Sequence, residues 1–170
     1  MSNDLAYLSQ LETLYLDTFS KGDAAQHFDL LSLRSYLNHT LVQGYALMCF
    51  DQNTLIACLL YAPLTIDAEC PKQIRDQFIP AQCAYITEVM VAINYQGQGL
   101  GGKLMNSFFE TIDNASFKDV FIRVWDKNAI AIKLYEGVGF KIVTSIEQTK
   151  LQVDGVTNFT MTKLYLHKPL

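Results

Sequence analysis

The chain has little of what marks several large protein classes. Its four cysteines, Cys49, Cys58, Cys70 and Cys83, show no C-x-x-C spacing, which argues against a disulfide framework and reads as buried free thiols. The three histidines, His27, His39 and His167, are scattered without ligand spacing, so no metal site is expected. Neither an apolar run long enough to cross a bilayer nor a signal-peptide pattern is found, so no membrane partner is expected and the chain reads as cytoplasmic. Basic residues are in deficit. Thirteen Lys and Arg against 17 Asp and Glu leave a formal net charge of −4, which disfavours nucleic acid or an anionic membrane as main partner and slightly favours a cationic amine. There is no internal repeat and no low-complexity segment.

What is present suits one compact α/β domain over residues 1–170, because 170 residues that are 50% hydrophobic can bury an ample core. Ser2 or Asn3 can cap a first helix whose apolar stripe is Leu5, Leu8, Leu11, Tyr15 and Phe19, ending near residue 20 before Gly22 and Asp23. A second helix carrying Phe28, Leu31, Tyr36 and Leu37 should end near Gly44. Residues 45–50 and 54–62 read as a hairpin about Asp51-Gln52-Asn53. A link punctuated by Pro63, Pro71 and Pro80 follows, with a short helix near 73–78. Strands over 83–93 and 120–125 alternate with a helix buried through Leu100, Leu104, Met105, Phe108, Phe109 and Ile112 and another over 128–138. Strands over 141–153 and 157–167 close the chain around Asp154-Gly155.

The most informative stretch is Gln96-Gly97-Gln98-Gly99-Leu100-Gly101-Gly102-Lys103, between an apolar strand and an amphipathic helix. Its glycines leave backbone N–H groups open to a ligand, and the helix adds free donors and the positive end of its dipole, so a diphosphate should sit there. Three readings compete. Gly97, Gly99 and Gly102 satisfy the dinucleotide fingerprint, with Asp126 downstream, but Asn94-Tyr95-Gln96 separates them from the strand and only one such unit surrounds them. Gly97 to Lys103 begins a nucleotide triphosphate loop, but Leu104 stands where a magnesium-binding hydroxyl is required. The third reading joins Q-x-x-G-x-G to N-x-x-A-x-x-x-Y-x-x-x-G-F at Asn128, Ala131, Tyr135, Gly139 and Phe140, with Glu88-Val89-Met90-Val91 ahead of both.

This pair of motifs resembles the GNAT superfamily of N-acetyltransferases, strongly over residues 84–143 and more loosely elsewhere. The resemblance implies a mixed, mostly antiparallel central sheet of six or so strands flanked by helices. The family's usual first strand is absent or vestigial here, since only Met1 to Asp4 precede the first helix; the early hairpin would then lie at an edge that a partner subunit could cover. A homodimer is the family expectation. Acetyl-CoA is the implied co-substrate, with backbone N–H groups of Gly97, Gln98, Gly99, Gly101, Gly102 and Lys103 on its diphosphate and the Gln96 side chain beginning the same contact. The Lys103 charge would add to that grip, or be an ordinary solvated lysine. By the same resemblance the strand ending at Val91 splays from its neighbour at a bulge, so that Met90 and Val91 pair with the pantetheine arm. An N–H of that stretch would serve the oxyanion.

Glu88 is a lone acid in an apolar strand, the candidate general base acting through water; its alternative is a structural carboxylate paired with Arg123 or a backbone N–H. Arg123 in turn needs a partner and could line the acceptor cleft. Tyr135 shares a helix face with Asn128 and Ala131 and matches the family's usual general acid, or is an aromatic packing residue. Asn128 could touch the pantetheine arm, cap its helix, or both. No cysteine is placed as a covalent relay. The implied activity is direct attack by a primary amine of a small molecule or peptide in a ternary complex, with a non-catalytic acyl-CoA-binding regulatory module as the alternative. No residue pattern selects among a polyamine, an amino acid, an aminoglycoside-like sugar and a protein amine.

Overall fold

A computed structural model describes residues 2–20 and 25–170. The expected caps at Ser2 or Asn3, the place of Leu5 in its stripe, and the break at Gly22 and Asp23 lie outside the described residues and side chains. Two helices come first, α1 (Ser2–Phe19) and α2 (Leu30–Gln43), then the hairpin β1 (Tyr45–Asp51) and β2 (Thr54–Pro63). The proline-punctuated link holds α3 (Lys72–Gln77), and β3 (Cys83–Val91), α4 (Leu100–Thr111), β4 (Asp119–Trp125), α5 (Ala129–Gly137), β5 (Lys141–Leu151) and β6 (Asn158–Pro169) follow. The six strands form one sheet in the order β1-β2-β3-β4-β6-β5. Only β3 and β4 are parallel; the other pairs are antiparallel. Since α1 already begins at Ser2, no strand precedes it among the described residues, and β1 is an edge.

Side-chain alternation divides the sheet into two faces. Ala57, Leu59, Ala84, Ile86, Val120, Ile122 and Leu166 point to the face covered by α4 and α5 and pack with Leu104, Met105, Phe108 and Tyr135. On the opposite face Leu8, Leu11 and Leu14 of α1 and Leu33 and Leu37 of α2 pack against Cys58, Leu60 and Met90. Further along that face, Leu64, Cys70 and Ile74 of the link cover Tyr85, Phe121 and Tyr165. The strip of sheet between these last two clusters carries Glu88, the candidate base.

The second helix buries a different stripe from the one its sequence suggests. Asp29 caps it by accepting from the Ser32 N–H at 2.8 Å, and this start turns Leu33, Leu37 and Thr40 inward while Leu31 is left 79% exposed. Of the cysteines, Cys58, Cys70 and Cys83 are buried and free, whereas Cys49 on β1 is only partly covered. No helix among the described residues is long and apolar enough to cross a membrane.

The joint between α2 and β1 depends on Gly44. A Cβ there would lie 2.2 Å from the Tyr61 carbonyl oxygen and 2.8 Å from the Ala62 Cβ. Because the obstruction includes fixed backbone of β2, Gly44→Ala should destabilise the fold by about 1–3 kcal/mol, read as a lower urea midpoint at unchanged m-value; an unchanged midpoint would show that the hairpin yields.

Candidate active site

The site arises from an interruption in the sheet. Parallel pairing of β3 with β4 runs only from Cys83↔Asp119 to Ile86↔Ile122. At that point the β2–β3 register slips from Tyr61↔Ile86 to Leu60↔Glu88, leaving Thr87 as the extra residue of a bulge, its hydroxyl donating to the Leu60 carbonyl at 3.2 Å. Beyond the bulge β3 keeps only β2 and β4 keeps only β6, so the two strands diverge. The extra residue also re-aims the side chains. Ile86 and Val89 both reach the α4 side, and Glu88 is thrown onto the opposite face with Met90.

Glu88 is half-buried and accepts a hydrogen bond from the Tyr36 hydroxyl at 2.7 Å. Burial pushes its carboxyl up to about 7, offset in part by the Tyr36 hydrogen bond and by Lys163, Arg123 and Lys150. Burial and the nearby Glu88 carboxylate push Tyr36 well above its ordinary value, so the phenol keeps its proton and donates. Tyr15 of α1 packs edge-on to Tyr36, Phe19 and Phe28, forming an aromatic wall beside the carboxylate.

Glu88 is therefore not the partner of Arg123. That guanidinium is held by the link: Nη1 donates to Glu69 Oε2 at 2.9 Å and to the Tyr165 hydroxyl at 3.1 Å, and lies 3.6 Å from Asp67 Oδ1. Tyr165 donates onward to Asp67 Oδ2 at 2.7 Å, and Gln148 donates to Glu69. Arg123 stands at one side of the cleft with its charge compensated.

Tyr135 approaches from the other face. Its ring packs with Phe140 at 6.3 Å between centroids, and the residue is only 6% exposed. The hydroxyl has no hydrogen-bond partner among the described residues, yet it is not among the atoms sealed from solvent. Burial raises its pKa, and the Glu88 carboxylate raises it further. Asn128 caps α5 by accepting from the Ala131 N–H at 3.1 Å, which fixes the turn from which Tyr135 projects.

The glycine loop forms the floor on the α4 side. Gly97 and Gly99 have φ of 74° and 77°, in the left-handed region that favours glycine. No described group accepts from the backbone N–H of Gly97 through Gly102, the first intrahelical bond being Lys103 N–H to Gly99 carbonyl at 3.1 Å. Such a row of free donors at a helix start suits the diphosphate of acetyl-CoA. At Gly101 a Cβ would come within 3.2 Å of Leu134, so the helix also needs this glycine to sit close to α5. Lys103 is exposed. Gln96 Nε2 donates to the Val91 carbonyl at 3.1 Å, and Gln98 Nε2 to the Asn94 carbonyl at 3.3 Å. The Met90 side chain is wholly buried against α1, so only its backbone could meet a ligand. The described residues contain no group of His, Cys, Asp and Glu that could hold a metal ion.

Sequence reasoning took Tyr15 and Tyr36 for core aromatics and passed over Lys150 and Lys163. Nothing in a helical stripe marks one tyrosine as the partner of an acid 52 residues away.

A family model described as "Acetyltransferase (GNAT) family" matches residues 8–140. No curated protein sequence matches the chain. Among solved structures, a ribosomal-protein-alanine N-acetyltransferase from Brucella melitensis is similar at 20% identity and TM-score 0.70, over 97% of this chain and 95% of that one. An acetyltransferase from Salmonella typhimurium with acetyl-CoA is similar at 15% identity and TM-score 0.69, covering 97% and 89%. A third, from Elizabethkingia anophelis with acetyl-CoA bound, has 18% identity and TM-score 0.61, covering 91% and 89%. At these identities the likeness is one of fold.

The raised Glu88 pKa has a consequence for stability. Between about 4.5 and 7 the unfolded chain releases this proton while the folded chain retains it, so Glu88's contribution to folding stability falls as pH rises through that window. In Glu88→Gln the new amide would still accept from Tyr36 and cannot titrate. The Tm of Glu88→Gln relative to wild type should therefore rise from pH 5 to pH 8; a difference that stays flat would mean that Glu88 titrates as an ordinary surface acid.

Proposed function

The chain belongs to the acetyltransferase (GNAT) family, and from that premise we propose that it works as a single domain transferring an acetyl group from acetyl-CoA to a primary amine of a small molecule or peptide, by direct attack in a ternary complex. The observation that carries this reading is the parting of β3 from β4 after Ile86 at the Thr87 bulge, which turns Glu88 onto one face of the sheet while Tyr135 lies in the α4–α5 layer on the other. A module that merely bound acyl-CoA would have no use for a half-buried acid and a buried phenol on either side of that gap.

Bound acetyl-CoA supplies the thioester carbonyl that the amine attacks. Free N–H groups of Gly97 to Gly102 hold its diphosphate, and the backbone of Met90 and Val91 on the side that β4 has left receives the pantetheine arm. Gln96 would release the Val91 carbonyl as that arm enters. Glu88 takes up, directly or through water, the proton that the amine gives up as the C–N bond forms. A carboxylate near 7 is well poised for this at neutral pH. Tyr135, kept protonated by burial and by Glu88, gives its phenolic proton to the leaving sulfur as the C–S bond breaks. A backbone N–H in the Thr87–Val91 stretch donates to the carbonyl oxygen as it gains charge.

Removing the phenolic hydroxyl in Tyr135→Phe should lower kcat about 10²- to 10⁴-fold while leaving acetyl-CoA affinity, by titration, nearly unchanged. The kcat/KM of the wild type should rise with pH through about 7, as Glu88 becomes the carboxylate, and Glu88→Gln should lose that limb. Full turnover by Tyr135→Phe would remove the phenol from proton transfer, and a surviving limb in Glu88→Gln would assign the base elsewhere.

A further inference from the structure

The same cleft holds two cations that the chemistry above does not use, and on the acetyltransferase reading they name the class of acceptor. Lys163 of β6 lies in register between Trp125 of β4 and Ile146 of β5, and Lys150 of β5 lies opposite Phe159. Alternation puts both on the sheet face that carries Arg123 and Glu88. Both are half-buried, and neither makes a hydrogen bond or an ion pair with any described residue. Their natural partners are taken: Asp67 and Glu69 are committed to Arg123, Tyr165 and Gln148, and Glu88 to Tyr36.

Two half-buried ammonium groups in one cleft are costly to keep there. Burial lowers both lysines, Lys163 to about 8; Glu69 and Glu88 offset this for Lys150, and Glu88 and Asp126 for Lys163, while Arg123 lowers both and Lys150 lowers Lys163. An acceptor carrying only positive charge would worsen this, whereas an amine that also carries an anion would relieve it. We propose that Lys150 and Lys163 form an anion-binding subsite of the acceptor pocket, so that the amine acetylated bears a carboxylate or phosphate group, as an amino acid does and a polyamine does not.

The test uses matched acceptors with the full chain: free amino acids against their primary amides, and phosphoethanolamine against ethanolamine, each compared by kcat/KM in wild type, Lys163→Met and Lys150→Met. Wild type should prefer one anionic series over its neutral partner by about ten- to a hundredfold, the range expected for a hydrogen bond to a charged group; which series wins tells carboxylate from phosphate. The preference should collapse in Lys163→Met. Taking the ratio within each protein cancels whatever the loss of Lys163 does to Glu88. Turnover without an anionic preference, or best with a polyamine, would overturn the subsite and leave the acetyltransferase reading standing. If no amine releases thiol from acetyl-CoA, that reading fails. The subsite is then judged by fluorescence of Trp125, the single tryptophan, titrated with N-acetylglycine and N-acetylglycinamide. A response to the acid alone, lost in Lys163→Met, would uphold it; equal responses would overturn it.

Discussion

Everything distinctive about this molecule depends on the short reach of one strand pairing. β3 and β4 stay together for four residue pairs and then part at the Thr87 bulge. A regular strand would have carried Glu88 into the apolar layer under α4, where an acid could not stay ionised. The extra residue turns it to the opposite face. Tyr135 is fixed in the α4–α5 layer on the other side of the sheet. On the proposed reading, two core layers otherwise separated by a closed sheet would contribute one chemical group each to the gap where the strands part, and the free N–H donors of Gly97 to Gly102 would hold the co-substrate.

An opening in a sheet must be held open, and here the charged network around Arg123 does part of that. Arg123 stands on β4 one residue beyond the last β3 pair. Its contacts with Asp67 and Glu69 tie β4 to the link after β2, while Tyr165 and Gln148 bring β6 and β5 into the same network. The buried aliphatic and aromatic side chains of that link, Leu64 and Ile74 against Tyr85 and Phe121, supply the apolar half of the joint. On the other side α1 and α2 are anchored by Leu11 and Leu37 and deliver Tyr15 and Tyr36. The cleft is thereby walled by two independently packed units, and Glu88 stands between them.

Much of this was legible from residues alone. The glycine loop, the N-x-x-A-x-x-x-Y-x-x-x-G-F helix and the order of elements follow from local spacing, and local spacing survives folding. Glu88 stood out as a lone acid in an apolar strand, and Tyr135 by its place in the N-x-x-A-x-x-x-Y motif on one face of its helix. What was illegible is pairwise and long-range. Arg123 was recognisably in need of a partner, but the acids that serve it come from a link whose path no periodicity encodes. Tyr36 looked like one more apolar residue of an amphipathic helix, and the Asp29 cap, which sets which side of that helix is buried, was not used. Lys150 and Lys163 drew no notice because lysines are ordinary on half-exposed strand positions. Only register shows that these two share the sheet face that carries the acid.

The two lysines and the carboxylate are also coupled in a way that suits the chemistry. Lys163 and Lys150 help to keep Glu88 ionised, and burial works against them. A base that is too well stabilised by cations is a poor proton acceptor, and one that is too dry is already protonated before the amine arrives. An anion seated between the lysines would screen their field at Glu88 while the acceptor body displaces water around it, and both changes raise the carboxylate's affinity for a proton. The base would then be strongest when an amine is present to give the proton up, and weaker in the empty cleft, where a neutral Glu88 would be inert. On this account the lysines serve recognition and timing through one electrostatic contact, which explains why a fold would keep two unpartnered cations on a strand face that apolar residues would pack more stably.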